Sequence, residues 1–287
     1  MELMVYDDVE PFLEVNGGFL NAAEAENNSF LGAVAALANE ESKAGEIAYL
    51  AAVREGSGSP VLNAFSAVRG NLVFSATRSG QREAAVSLIA HDLASRGIRL
   101  PGAFGEQELV GEFVRAWTAL TRCTVRPLLT QTLHVLRALV PIRHAPGWLR
   151  QATGSDLDLI TEWSHAFLRE ALGKTDQAAA QRSARTRIAA HELFLWEDGR
   201  PVCMAGRARA TRHGIAINQV YTPPSARRRG YATACVAELT RQLLADGYAF
   251  CTLYADVANN ESNSIYTRLG YEPIARSAVF EFGYPVA

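Results

Sequence analysis

The segment richest in chemical meaning is Arg227-Arg228-Arg229-Gly230-Tyr231-Ala232. It follows a strand-like run, 215–222, and opens a helix expected over 228–245. A turn of this kind aims several unpaired backbone N–H groups at one spot. The helix N-terminus adds partial positive charge there. Together they form a socket for a pyrophosphate. Gly230 carries no side chain and Ala232 a small one, so phosphate oxygens can approach the backbone. Hydrogen bonds to a charged acceptor contribute about 1.5–3 kcal/mol each, so three or four would anchor a nucleotide without a lysine. A dinucleotide-binding loop needs G-x-G-x-x-G inside a βαβ unit, and one glycine after antiparallel strands does not supply it. The plain alternative is an arginine-rich, solvated helix start.

A second segment lies further on: Asn259-Asn260-Glu261-Ser262-Asn263-Ser264-Ile265-Tyr266, then Leu269-Gly270-Tyr271. A tyrosine O–H, with an ordinary pKa near 10, matches the basicity of a thiolate and can protonate one as it leaves a thioester. The plain alternatives are a packed core aromatic for Tyr266 and a helix N-cap for Asn259.

Both segments carry a family pattern. Arg227, Gly230 and Ala232 match the fixed positions of Q/R-x-x-G-x-G/A. Asn259, Ser262, Ile265, Tyr266, Gly270 and Tyr271 match N-x-x-A/S-x-x-L/I-Y-x-x-x-G-F/Y. In these motifs and in element order, residues 149–282 resemble the GNAT (N-acetyltransferase) superfamily. The resemblance implies that Arg227 and the amides of Arg228, Arg229, Gly230, Tyr231 and Ala232 hold the pyrophosphate of coenzyme A. It implies that the backbone near Val220, Tyr221 and Thr222 bonds the pantetheine arm as an added strand would. It assigns Asn259, Ser262 and Asn263 to the pantetheine amides or to the strand-to-helix loop, and Tyr266 to proton donation. The N–H of Val220 or Tyr221 becomes the candidate oxyanion donor. The implied donor is acetyl-CoA, used as a substrate without a metal, and the implied acceptor is an amine. No base stands out. Glu192, Glu197 and Asp256 read as surface or turn carboxylates, and His165, His191 and His213 are isolated.

These residues need a scaffold. The second half reads as strand 149–152, helix 154–172, helix 176–190, strands on either side of Asp198-Gly199, strand 215–222, helix 228–245, strand 250–257, helix 259–269, and a closing hairpin of 271–275 with 278–282. Asp-Gly is a strong hairpin signal, and Ser155 is the expected N-cap of the first helix. The first half reads as helices 9–14 and 22–38, strands 47–54, 61–68 and 72–75, helices 81–95 and 106–121, and strand 125–133. The two orders echo each other, which points to a diverged duplication. The expected fold is mixed α/β, with two GNAT-like domains, each a central, mostly antiparallel twisted sheet flanked by helices. The boundaries fall at 1–139 and 149–287, with 140–148, rich in proline, as linker. The first half lacks both motifs. Its equivalent loop would be 76–82, with one glycine, and Trp117 stands where a tyrosine would. It reads as a degenerate copy that helps shape the acceptor pocket.

Composition narrows the function. The 287 residues suit two domains. A net charge of −2 gives no basic surface for nucleic acid. Cys123, Cys203, Cys235 and Cys251 form no C-x-x-C or metal spacing and read as buried, reduced thiols of a cytoplasmic protein. The acidic N-terminus lacks a signal-peptide pattern. No run approaches the ~20 apolar residues of a membrane span. The leading expectation is an acyl-CoA-dependent N-acyltransferase acting on a small-molecule or protein amine. Its rivals are a non-catalytic acyl-CoA sensor and a tandem transferase of cofactor-thiol biosynthesis or of aminoacyl-tRNA type.

Overall fold

The computed structural model describes residues 1–38, 47–56, 58, 60–143, 145–173 and 175–285. The chain forms two compact units. One is Met1–Leu133 together with Ile274–Ala287, and the other is His134–Pro273.

The first unit contains β1 (Glu2–Val5), α1 (Val9–Ala22), α2 (Asn28–Ala38), β2 (Ile47–Arg54), β3 (Pro60–Ala67), β4 (Leu72–Phe74), α3 (Arg82–Ser95), β5 (Gly102–Glu106), α4 (Gln107–Thr121) and most of β6 (Thr124–Leu136). Strands β1 to β4 pair antiparallel in sequence order, and β4 then pairs parallel with β5. Side chains alternate across the sheet. Tyr49, Ala51 and Val53 face Ile89, Leu93, Phe113 and Trp117 of α3 and α4. Leu50 and Ala52 face Phe12, Leu20, Phe30 and Val34 of α1 and α2.

Helix α2 begins at Asn28 rather than at residue 22, and three further expectations fail here. Helix α1 does not stop at residue 14 but runs on through Gly17-Gly18 to Ala22. Each glycine costs about 1 kcal/mol in a helix, but burial of the apolar Val9, Phe12 and Leu20 outweighs it. Strands β1 and β5 were not expected. Glycines weaken strand propensity, and β5 reads Gly-Ala-Phe-Gly-Glu. Gly102 is needed there because a Cβ would collide with the Phe280 carbonyl.

The second unit contains β7 (Trp148–Gln151), α5 (Leu157–Leu172), α6 (Gln177–Ala189), β8 (Leu193–Glu197), β9 (Pro201–Ala208), β10 (Gly214–Tyr221), α7 (Tyr231–Ala245), β11 (Phe250–Asp256) and α8 (Asn260–Leu269). Strands β7 to β10 pair antiparallel in order, and β10 pairs parallel with β11. This repeats the sequence of pairings in the first unit. Helices α5 and α6 cover one face with Ile160, Trp163 and Ala184. Helices α7 and α8 cover the other, with Val236, Leu239, Leu243 and Leu269, and Leu136 from the end of β6 joins that core. The entry to α5 is capped by Thr153 rather than Ser155. Asp156 accepts the Thr153 N–H at 2.8 Å, closing a capping box. The same carboxylate takes two guanidinium bonds from Arg150, which hold it well below its usual value, near 2.

The closing hairpin is absent. Glu272–Gly283 is one unbroken strand, β12, because Arg276-Ser277 offers no turn chemistry. From Ile274 onward it belongs to the first unit, where Ser277–Glu281 pair antiparallel with β5. The Tyr284 hydroxyl locks it in place. It accepts from the Leu100 N–H at 3.1 Å and the Trp117 Nε1–H at 3.2 Å, and donates to the Leu100 carbonyl at 2.9 Å. Among the described residues all four cysteines are free and buried, and no helix is long and apolar enough to cross a membrane.

Candidate functional site

The site assembles where β10 gives way to α7. Arg228 and Gly230 both adopt left-handed backbone conformations, with φ of 62° and 80°. Gly230 is the N-cap of α7, and no side chain caps it. The first helical amide used is that of Ala234, which donates to the Gly230 carbonyl at 3.0 Å. Among the described residues, no protein group accepts from the N–H groups of Arg228, Arg229, Gly230, Tyr231 or Ala232. The role of Gly230 differs from the one expected. A Cβ there would meet only the Ala145 Cβ, at 3.8 Å. Glycine is therefore required by the positive φ rather than by crowding.

The three arginines divide their work. The Arg227 N–H is already spent on the Pro224 carbonyl. Its guanidinium donates to the Thr222 carbonyl at 2.9 Å and to Glu170 at 2.8 Å, and it lies over the Tyr221 ring. Arg227 thus buckles the loop to β10 and α5 and does not reach into the cradle. Arg228 and Arg229 are exposed. The Tyr231 hydroxyl turns away to Asp198, 2.5 Å off.

Strand β10 carries a bulge. Asn218 pairs with Gly206 and Tyr221 with Met204, so three steps on β10 oppose two on β9. Gln219 takes the extra step with φ of 48°. On its other side β10 pairs with β11 only from Gly214 to Ala216. Beyond Ala216 the edge facing β11, which includes Val220 and Tyr221, is unpaired. Parallel strands that part in this way leave a slot lined by backbone donors and acceptors.

Helix α8 follows β11 and packs against it. Asn259 is its N-cap, accepting the Ser262 N–H at 3.0 Å. The Asn263 amide donates to the Asp256 and Asn259 carbonyls at 2.9 and 2.8 Å. Of the two roles offered for these residues, shaping the strand-to-helix turn is the one their side chains perform. Tyr266 is 6% exposed. Its ring stands edge-on to Tyr271 at 6.0 Å and 6.2 Å from the ring of His134. Its hydroxyl bonds no described residue, whereas Tyr271 is tied to Thr240 at 2.8 Å. Burial pushes the Tyr266 phenol above its ordinary value, so the proton-bearing form prevails.

None of the candidate bases stands free. Glu192 binds Arg187 at 2.9 Å, Glu197 binds Arg150, and Asp256 accepts the Ala258 N–H at 2.9 Å. His134 escaped the sequence reading. It lies far from both motifs, and its only signal was a lone histidine in an apolar strand run. Among the described residues no group of three or more metal-ligating side chains occurs.

The first unit offers an instructive contrast at the start of α3. There the Ala76 N–H donates to Asn27 at 2.7 Å, the Ser79 N–H to Thr77 at 3.2 Å and the Gln81 N–H to Ser79 at 3.1 Å. Arg82 is gripped by Glu108 at 2.8 Å and Glu112 at 3.0 Å. Three amides at this loop, those of Ala76, Ser79 and Gln81, are thus taken by side chains.

Residues 199–280 match the family model described as FR47-like protein. Solved structures follow the chain over nearly its whole length. An acetyltransferase from the GNAT family of Colwellia psychrerythraea is 12% identical and aligns over 99% of this chain and 100% of its own, with a TM-score of 0.55. A protein from Sphaerobacter thermophilus, described as a GNAT-type N-acetyltransferase, is 13% identical over 99% of this chain and 97% of its own, with a TM-score of 0.59. A Drosophila protein is 12% identical over 97% of this chain and 98% of its own, with a TM-score of 0.64. The chain has the GNAT fold. The GNAT-type motifs read from sequence fall inside the matched segment 199–280. No curated protein matches the chain by sequence.

Proposed function

We propose that the protein is an acyl-CoA-dependent N-acyltransferase that moves an acetyl group from acetyl-CoA to a primary amine of a small molecule or protein. The observation that carries this reading is the unspent run of amides from Arg228 to Ala232 beside the unpaired edge of β10. The amides receive the pyrophosphate, and the β10 backbone near Val220, Tyr221 and Thr222 receives the pantetheine arm. That leads the thioester toward Tyr266 along the slot between β10 and β11.

The acceptor nitrogen attacks the thioester carbon directly in a ternary complex. The C–N bond forms, and the carbonyl oxygen gathers charge near the Val220 or Tyr221 N–H. The C–S bond breaks, and Tyr266 gives its proton to the leaving thiolate. A thiolate in the same dry space is raised in basicity by the cause that raises Tyr266, so the two stay matched. The amine proton leaves through water, since the candidate carboxylates Glu192, Glu197 and Asp256 are held in ion pairs or turns. The second unit performs this chemistry, and the first is a copy whose equivalent loop has three amides already taken by side chains.

Calorimetry of the full chain with acetyl-CoA and with 3′-phospho-ADP tests the cradle. Both are expected to bind, and thiol release with a panel of amines is expected to reveal turnover. Absence of binding by both ligands overturns the proposal. Binding without turnover on any amine would leave a sensor.

A further inference from the structure

The bulge on β10 has an unusual anchor. Arg187, in the last turn of α6, has a side chain only 13% exposed. Its Nε donates to Glu192 at 2.9 Å, and its Nη2 to the Arg207 carbonyl and to Asn218 Oδ1, each at 2.9 Å. Its Nη1 donates to Gln219 Oε1. One planar fork thus holds both bulge residues, the β9 backbone opposite them, and a carboxylate that neutralises it. Glu192 is fixed in turn, its N–H on the Arg187 carbonyl at 2.9 Å and its own carbonyl on the Arg207 N–H at 2.8 Å.

The surroundings are fitted to this fork. Gly206 lies directly opposite Asn218, and a Cβ there would collide with the Arg187 guanidinium. Gln219 holds a left-handed backbone that a non-glycine residue adopts only when its surroundings enforce it. Without the fork, the extra residue is free to relax and the edge beyond it to change direction.

We infer that Arg187 is a positioning residue: it sets the β10 bulge and so aims the backbone of Val220 and Tyr221 at the pantetheine arm and the thioester carbonyl. This rests on the function proposed above, and it adds to that function a residue from outside both motifs. Arg187 touches neither the phosphate cradle nor Tyr266. Its loss should therefore damage one part of the ligand and spare another.

The experiment compares full-length wild type with Arg187→Met, Gly206→Ala and Arg187→Lys. Calorimetry uses coenzyme A and 3′-phospho-ADP, which carries the pyrophosphate held at α7 without the pantetheine arm. Losing two pantetheine hydrogen bonds corresponds to a loss of about thirtyfold in coenzyme A affinity. Arg187→Met and Gly206→Ala should show that loss while 3′-phospho-ADP affinity stays within about twofold, a change too small for one lost hydrogen bond. KM for acetyl-CoA should rise in step, and kcat should fall as the oxyanion donor is misaimed. Arg187→Lys should fall between, because an ammonium cannot span Gln219, Asn218 and the Arg207 carbonyl together. Unchanged coenzyme A affinity in Arg187→Met overturns the inference alone. Equal loss of both ligands, with a collapsed melting transition, reduces Arg187 to a folding residue and also overturns it. Failure of wild type to bind either ligand overturns the proposed function itself.

Discussion

Replacing Tyr266 by Phe separates chemistry from packing. The Tyr266 hydroxyl bonds no described residue, so its removal breaks no protein hydrogen bond, and stability should change by less than about 0.5 kcal/mol. If the hydroxyl is the proton donor, the rate should fall at least about a hundredfold, equivalent to about 2.7 kcal/mol of transition-state stabilisation. Tyr271→Phe is the matched control. It breaks the 2.8 Å bond to Thr240 in the core, which costs about 1–3 kcal/mol. That is a melting-point drop of several degrees, and the rate should hold within about twofold. Thiol release from acetyl-CoA measures the first quantity and calorimetric melting the second. The pH profile adds a further constraint. Burial raises the Tyr266 phenol above its ordinary 10.0, so the acid form persists and no alkaline decline from this group should occur below that pH. An unchanged rate in Tyr266→Phe, or an equal slowing in Tyr271→Phe, refutes the assignment.

Other changes test the frame around it. Gly230→Ala should cost about 1 kcal/mol through its left-handed backbone with no clash. Gly230→Asp should add repulsion and cut 3′-phospho-ADP affinity more than tenfold, as calorimetry would show. Asp156 ionises near 2 in the fold against 3.8 unfolded. Its contribution of about 2 kcal/mol is complete above 3.8 and is lost as pH falls through 2. Asp156→Asn should therefore lower the melting point at neutral pH and flatten its decline between pH 4 and 2. Tyr284→Phe should destabilise the first unit by about 2 kcal/mol, since it leaves the Leu100 carbonyl without its donor and strips two N–H groups of their acceptor. Thermal melts followed through Trp117 would show it.

Local turn chemistry made much of the second unit legible. Gly199, Gly247 and Gly270 all take the positive φ that their positions suggested, and Asn259 caps the helix it precedes. The cradle was readable because a helix start needs no partner from elsewhere. What stayed hidden depends on distant pairing. Strand β5 is too rich in glycine to announce itself and forms because β4 and β12 flank it. The β12 pattern broke at Arg276-Ser277 when only local turns were considered, and it became continuous once β5 supplied a partner. Arg187 and His134 were invisible for the same reason. An arginine on a polar helix and a histidine in a strand acquire meaning only when Gln219 and Tyr266 are brought beside them.

The return of β12 to the first unit also sets a timetable for synthesis. A ribosome that has finished Leu133 needs on the order of 10 s more to reach Ile274. Through that interval the nascent first unit carries β5 with a bare edge and Trp117 without the oxygen that later accepts its proton. Bare edges recruit other chains, so crowded polysomes are where this protein is most exposed to wrong partners. A chain cut before Ser277 would lack the strand that pairs with β5 and so damage a unit translated well before it.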